Sequence, residues 1–168
     1  YEKTIEIQPD SYGAWTNKGL AMSRLGKHAE AVVTYEKALQ IQPDSYETMT
    51  NKGGELFLLG RNEEAIKAFD RAIELRPDYP QVWNNKGWAL LRLGKFAEAV
   101  KSFDKVAQII TDGEAAGIPR LAKIKYEALS NKGLALVQLQ NYQEAVKAFG
   151  KAIGIKADVF SLWINKGL

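Results

Sequence analysis

The chain has 168 residues, 46 % of them hydrophobic, with 23 Lys and Arg against 20 Asp and Glu for a net charge of +3. It has no cysteine and one histidine, His28, which excludes disulfides, thiol nucleophiles, cysteine-held zinc or iron–sulfur and two-histidine metal motifs. The charge signs are mixed, without the basic stripe of a nucleic-acid binder, and no apolar run approaches the roughly 18 residues of a membrane span.

The elements repeat. Asn-Lys-Gly occurs five times, with glycines at Gly19, Gly53, Gly87, Gly133 and Gly167, so the spacings are 34, 34, 46 and 34 residues. A fixed period of this size marks a repeat array. Trp15, Met49, Trp83 and Trp163 lie four residues before a triplet glycine, with Leu129 in the fourth unit. Gly26, Gly60 and Gly94 lie seven residues after one, with Gln140 in the fourth unit. Ala31, Ala65, Ala99 and Ala145 follow, then Tyr35, Phe69, Phe103 and Phe149, then Ala38, Ala72, Val106 and Ala152.

Each unit reads as two helices. Ser11–Leu25 carries Trp15, Leu20 and Met22 near helical spacing, with Ser11 as N-cap and Gly26 as stop. Ala29–Gln40 places Ala31, Val32, Tyr35, Ala38 and Leu39 on one face. Pro43 then ends it, because proline lacks an N–H and restricts the residue before it. Gly19 and Ala31 let the two backbones approach, and larger residues fill the layer between pairs. One such hairpin cannot bury its apolar face alone, so units must stack. The units are residues 12–45, 46–79, 80–113 and 126–159, in one array over 1–168. Residues 1–11 align with the end of a second helix, and 160–168 with the start of a further first helix. With Tyr1 rather than Met at its start, the chain reads as a segment of something longer, whose open apolar ends allow self-association.

The longer spacing places an insertion at 114–125. Thr111-Asp112-Gly113 and Gly117 are turn signals, and Pro119 suits the first position of a lengthened first helix. One reading is a tolerated extension. The other is a partner-binding lip that offers Arg120, Lys123 and Lys125 to an acidic partner.

This pattern resembles the tetratricopeptide repeat family, whose order over 34 residues is Trp, Leu-Gly, Tyr, Ala, Phe, Ala, Pro. Here the order is Trp15, Lys18-Gly19, Met22, Ala31, Tyr35, Ala38 and Pro43, recurring in register over nearly the whole chain. Lys in place of Leu, and Met or Leu in place of Tyr, are departures. The resemblance implies an all-α, right-handed superhelical solenoid of antiparallel helix pairs, with first helices lining a concave groove. It also implies the groove residues. Asn17, Asn51, Asn85, Asn131 and Asn165 stand at one inner position, as in the asparagine ladder of some members. A primary amide can donate to and accept from a peptide backbone. The alternative is a local hydrogen bond by each amide. Phe57, Leu58, Trp88, Leu91, Arg92 and Leu134 supply apolar and cationic contacts, and Gly54 leaves room. Some members clamp a chaperone C-terminus with Lys, Asn and Arg. The equivalent positions here are Thr16, Leu20, Asn51, Gln81 and Asn85, and they lack the cations.

The expectation is a binding scaffold rather than an enzyme, without cofactor, membrane or nucleic acid, and cytoplasmic as the lack of cysteine allows. It would hold a protein or peptide partner in its groove. The alternative is the recognition region of a larger enzyme such as a glycosyltransferase or peptidase. His28 aligns with Phe96 and Tyr142 and reads as packing. Lys18, Lys52, Lys86, Lys132 and Lys166 read as structural, with Glu36, Asp70 and Asp104 as available partners.

Overall fold

The computed structural model describes residues 8–111, 114 and 117–166, with side chains as far as Ile155. Eight helices run through the described residues: α1 (Tyr12–Arg24), α2 (His28–Ile41), α3 (Tyr46–Leu58), α4 (Asn62–Leu75), α5 (Pro80–Arg92), α6 (Phe96–Ile109), α7 (Pro119–Gln138) and α8 (Tyr142–Lys166). The chain divides into two compact units, residues 1–77 with α1–α4 and residues 78–168 with α5–α8. Among the described residues, no helix is long and apolar enough to cross a membrane.

In the first unit, Ser11 caps α1 by accepting a hydrogen bond from the Ala14 N–H at 3.3 Å. Ser45 does the same for α3 through Thr48 at 3.2 Å. Each first helix ends at a residue in the left-handed region, with φ of 74° at Gly26 and 77° at Gly60. Glycine adopts that conformation without the Cβ clash other residues meet. Short turns then reverse the chain, and α1 packs on α2 as α3 packs on α4. The contact is close because the triplet glycine faces an aromatic ring. A Cβ at Gly19 would lie 2.5 Å from Tyr35 Cε1. Ala31, Tyr35, Ala38, Ala65, Phe69 and Ala72 are buried, as their period requires.

Burial pushes the Tyr35 phenol up to about 12, and the charge of Glu55 adds to the effect. A raised pKa means the folded state holds the proton more tightly than the unfolded chain. The associated stability is therefore complete below about pH 10, the ordinary tyrosine value, and is lost as pH rises toward about 12. Urea denaturation of Tyr35→Phe is expected to lack this alkaline component. The change is tolerated because Phe69 and Phe103 occupy the same repeat position. An alkaline loss of equal size in Tyr35→Phe would remove Tyr35 as its source.

In the second unit, α5 packs on α6, and α7 packs on α5, α6 and α8. Val82, Leu90, Ala99, Phe103 and Val106 are buried. Pro80 and Pro119 open α5 and α7, where the missing N–H has no helical partner to lose. Gly94 ends α5 at φ 70°, whereas Gln140 takes φ 59° at the end of α7 without glycine's freedom. The insertion supplies a first helix of 20 residues, as the position of Pro119 suggests.

It does not supply the three-cation lip. Arg120 and Lys123 are exposed, but Lys125 is 6 % exposed, and its Nζ donates to the Ile110 carbonyl at 2.6 Å. Ile110 is the C-cap of α6. A helix C-terminus leaves carbonyls without helical donors and favours a cation there, and this draws Lys125 inward. Asp112 and Gly113 lie outside the described residues. At the other end, α8 continues to Lys166 without a turn near 160. Ala157 shares its repeat position with Pro43, Pro77 and Thr111, each of which follows the end of a second helix.

Candidate peptide-binding surface

In the first unit, two links join α1 to α3. The Tyr12 hydroxyl meets Ser45 Oγ and Thr48 Oγ1, each at 2.7 Å. At the other end, Ser23 Oγ donates to Glu55 Oε1 at 2.7 Å. Start meets start and end meets end, so the two first helices run side by side in one direction. Of the expected groove residues on them, Asn17 is exposed, Asn51 and Phe57 are half-buried, and Leu58 is 56 % exposed. Gly54 faces open space, since a Cβ there meets nothing within 4 Å.

In the second unit, α5 and α7 adjoin, with Asn84 Nδ2 donating to Glu127 Oε2 at 3.4 Å. Trp88 is 39 % and Leu134 52 % exposed, at the same repeat position on these adjoining helices. Val137 is exposed as well, Leu91 is half-buried and Arg92 is exposed. Exposed large apolar groups in series on a soluble surface are a recognised mark of a binding site.

The asparagine series is uneven. Asn85 is half-buried, and its Oδ1 accepts from Gln81 Nε2 at 2.9 Å. This is the local hydrogen bond of the alternative reading, and it leaves the amide N–H groups of Asn85 to act outward. Asn131 is only 5 % exposed, so it is withdrawn from any ladder offered to solvent. The side chains of Asn165 and Trp163 lie outside the described residues.

The lysine series is structural where its contacts are seen. Lys52 Nζ lies 2.8 Å from Glu36, and Lys132 Nζ 2.5 Å from Asp104. Lys18 sits over the Trp15 ring at 5.8 Å and Lys86 over Trp83 at 5.7 Å, within cation–π range.

One constellation has no counterpart in the sequence reading. Glu55 stands where the other repeats carry Ala21, Ala89 and Ala135. It is 6 % exposed and takes both Ser23 from α1 and His28 Nδ1 from α2, the latter at 2.7 Å. Acceptance by the carboxylate requires the proton on His28 Nδ1. His28 is therefore a polar clasp rather than simple packing. The signal was available, as a single charge at a position that is otherwise alanine. Among the described residues, no group of three or more His, Asp or Glu could hold a metal ion.

These features define a class: a helical-hairpin repeat protein whose first helices present exposed apolar and amide groups. The chain belongs to the tetratricopeptide repeat family, whose models match residues 10–78, 52–115 and 126–159. No curated protein matches the chain. Among solved structures it is similar to MamA, at 22 % identity and a TM-score of 0.80 over 94 % of this chain and 85 % of that one. MamA 41-end from Desulfovibrio magneticus RS-1 aligns at 16 % identity and a TM-score of 0.79, over 91 % and 80 % of the two chains. The first TPR of Spaghetti (RPAP3) bound to the HSP90 peptide SRMEEVD aligns at 22 % identity and a TM-score of 0.58, over 67 % and 90 %.

Proposed function

We propose that the chain is a protein-binding scaffold, not an enzyme, and that its first helices hold an extended peptide or partner segment. The observation that carries this reading is the juxtaposition of exposed Trp88 and Leu134 on adjoining helices, beside the amide of Asn85. Apolar peptide side chains would cover the two large groups, and the Asn85 N–H would donate to a peptide carbonyl. Family membership supports a binding role. RPAP3 gives one solved case of a similar repeat region with a peptide bound. The positions of the chaperone clamp do not support that ligand class here, because Thr16, Leu20 and Gln81 carry no positive charge.

A peptide-library screen on the 168-residue chain tests the reading. Trp88→Ala is expected to weaken selected peptides by at least about tenfold, as loss of a buried aromatic anchor does. Asn85→Ala is expected to weaken them less and without regard to peptide sequence, since it removes a backbone contact. Amidating the peptide C-terminus should change nothing. Unchanged binding in both variants would sink the proposal.

A further inference from the structure

The lengthened helix α7 carries a second feature on the face that shows Leu134 to solvent. By the repeat register, Tyr126 corresponds to Pro80, the first residue of α5, so residues 119–125 are added ahead of that level. At about 1.5 Å per residue, they take α7 about 10 Å past the start of α5. The helix is unbroken from Pro119 to Gln138, so the face of each added residue follows from its spacing. At roughly 100° per residue, Lys123 lies about 20° and Arg120 about 40° from Leu134 around the helix. Both cations are exposed. Ala122, Ile124, Lys125, Ala128 and Leu129 are buried, and they stand about 80–180° away from Leu134. The exposed apolar face therefore continues into a pair of cations.

Helix formation does not ask for these cations. Positive charge near a helix N-terminus opposes the helix dipole, and α7 has no acidic residue in its first turn. Lys123 Nζ lies 3.9 Å from Glu127 Oε1, on a side chain that is 76 % exposed. A surface pair of this kind contributes little. Glu127 is half-buried and also accepts from Asn84 Nδ2. It stands on the same face, between Lys123 and Leu134.

We propose that this face binds a peptide with a large apolar residue at Trp88 and Leu134, and an acidic residue about four to six positions away at Lys123 and Arg120. The proposal rests on the first-helix reading above and adds the chemistry and spacing of its ligand. Lys123 and Leu134 are 11 residues apart, about 16 Å along the helix. An extended peptide covers that length in about five residues. A peptide carboxylate beside the apolar anchor would meet Glu127 and be repelled, so the acid must stand off at that distance.

The test is a display library of peptides, random except for a central Phe, selected on the 168-residue chain. Asp and Glu are expected to be enriched at least about threefold, at about four to six positions from the Phe and on one side only. Selection on Arg120→Gln/Lys123→Gln should still yield peptides whose binding needs the Phe, but without that enrichment. Lys101→Gln/Lys105→Gln, exposed on α6, should keep both. Glu127→Gln should let acidic residues move closer to the Phe. In fluorescence anisotropy, replacing the selected acid by its amide should weaken binding at least about threefold, and less as salt rises. Circular dichroism confirms that each variant is folded. If no selected peptide needs its Phe, the first-helix reading and this proposal fall together. Peptides that need the Phe but show no acidic enrichment at that spacing overturn this proposal alone. So does enrichment that persists in the Arg120 and Lys123 variant, or that is lost equally in the Lys101 and Lys105 variant.

Discussion

Gly53→Ala is expected to destabilise the chain by about 1–3 kcal/mol, while Gly54→Ala, one residue along the same helix, stabilises it by up to about 1 kcal/mol. Both glycines lie inside α3, and helix propensity alone would favour alanine at both. The difference lies in what the new methyl meets. At Gly53 it would stand 2.5 Å from Phe69 Cε1 and 2.7 Å from Cδ1, well inside contact distance. The ring has little room to retreat, because Phe69 is fully buried beside Ala65 and Ala72 of its own helix. At Gly54 nothing lies within 4 Å. Urea denaturation midpoints of the two variants are the measurement. Equal stabilisation by both would mean that the close packing of glycine against ring is not what holds α3 on α4. Phe69→Leu added to Gly53→Ala should recover part of the loss, since neighbouring changes that share one contact do not add. The same contact recurs at Gly19 with Tyr35, Gly87 with Phe103 and Gly133 with Phe149. The third residue of the Asn-Lys-Gly triplet is thus a packing requirement of the hairpin.

That requirement explains why the fold was legible in the sequence. A glycine facing an aromatic, an alanine stripe, a left-handed glycine after the first helix and a proline after the second each answer a local constraint. Stacking then repeats the constraint at a fixed period. The lysine series was legible in the same way, because Glu36 and Asp104 stand on the second helix of the repeat that precedes Lys52 and Lys132. What escaped was what the period does not carry. Lys125 lies in the insertion, and no repeat position indicates that its ammonium reaches the end of α6. Asn131 has the same register as Asn85, yet it is buried while Asn85 is half-exposed, so register alone does not set accessibility. Glu55 was hidden by the regularity itself, since attention to what recurs passes over the one repeat that differs.

The departure at Glu55 yields the second large effect. His28→Ala is expected to destabilise the chain by about 2–3 kcal/mol, at or below the range for breaking a buried ion pair, because the His28 side chain keeps 31 % of its exposure and water can reach the vacated site. Glu55→Ala should cost less, about 1 kcal/mol. It removes the buried charge along with its hydrogen bonds, and alanine is what the other repeats carry at Ala21, Ala89 and Ala135. The order of the two effects is the informative part. A carboxylate that is 8 % exposed loses half of its partners when His28 goes and keeps only Ser23. His28 and Ser23, by contrast, reach water when Glu55 goes. The double variant should therefore match Glu55→Ala alone, giving a coupling of about 2 kcal/mol in a double-mutant cycle. Additive single effects would show that the 2.7 Å contact between His28 and Glu55 contributes nothing. Coupling of the expected size would show that one charge, placed where the repeat needs only a methyl, ties α1, α2 and α3 together. The first hairpin then holds the second by a polar link that the apolar period alone does not supply.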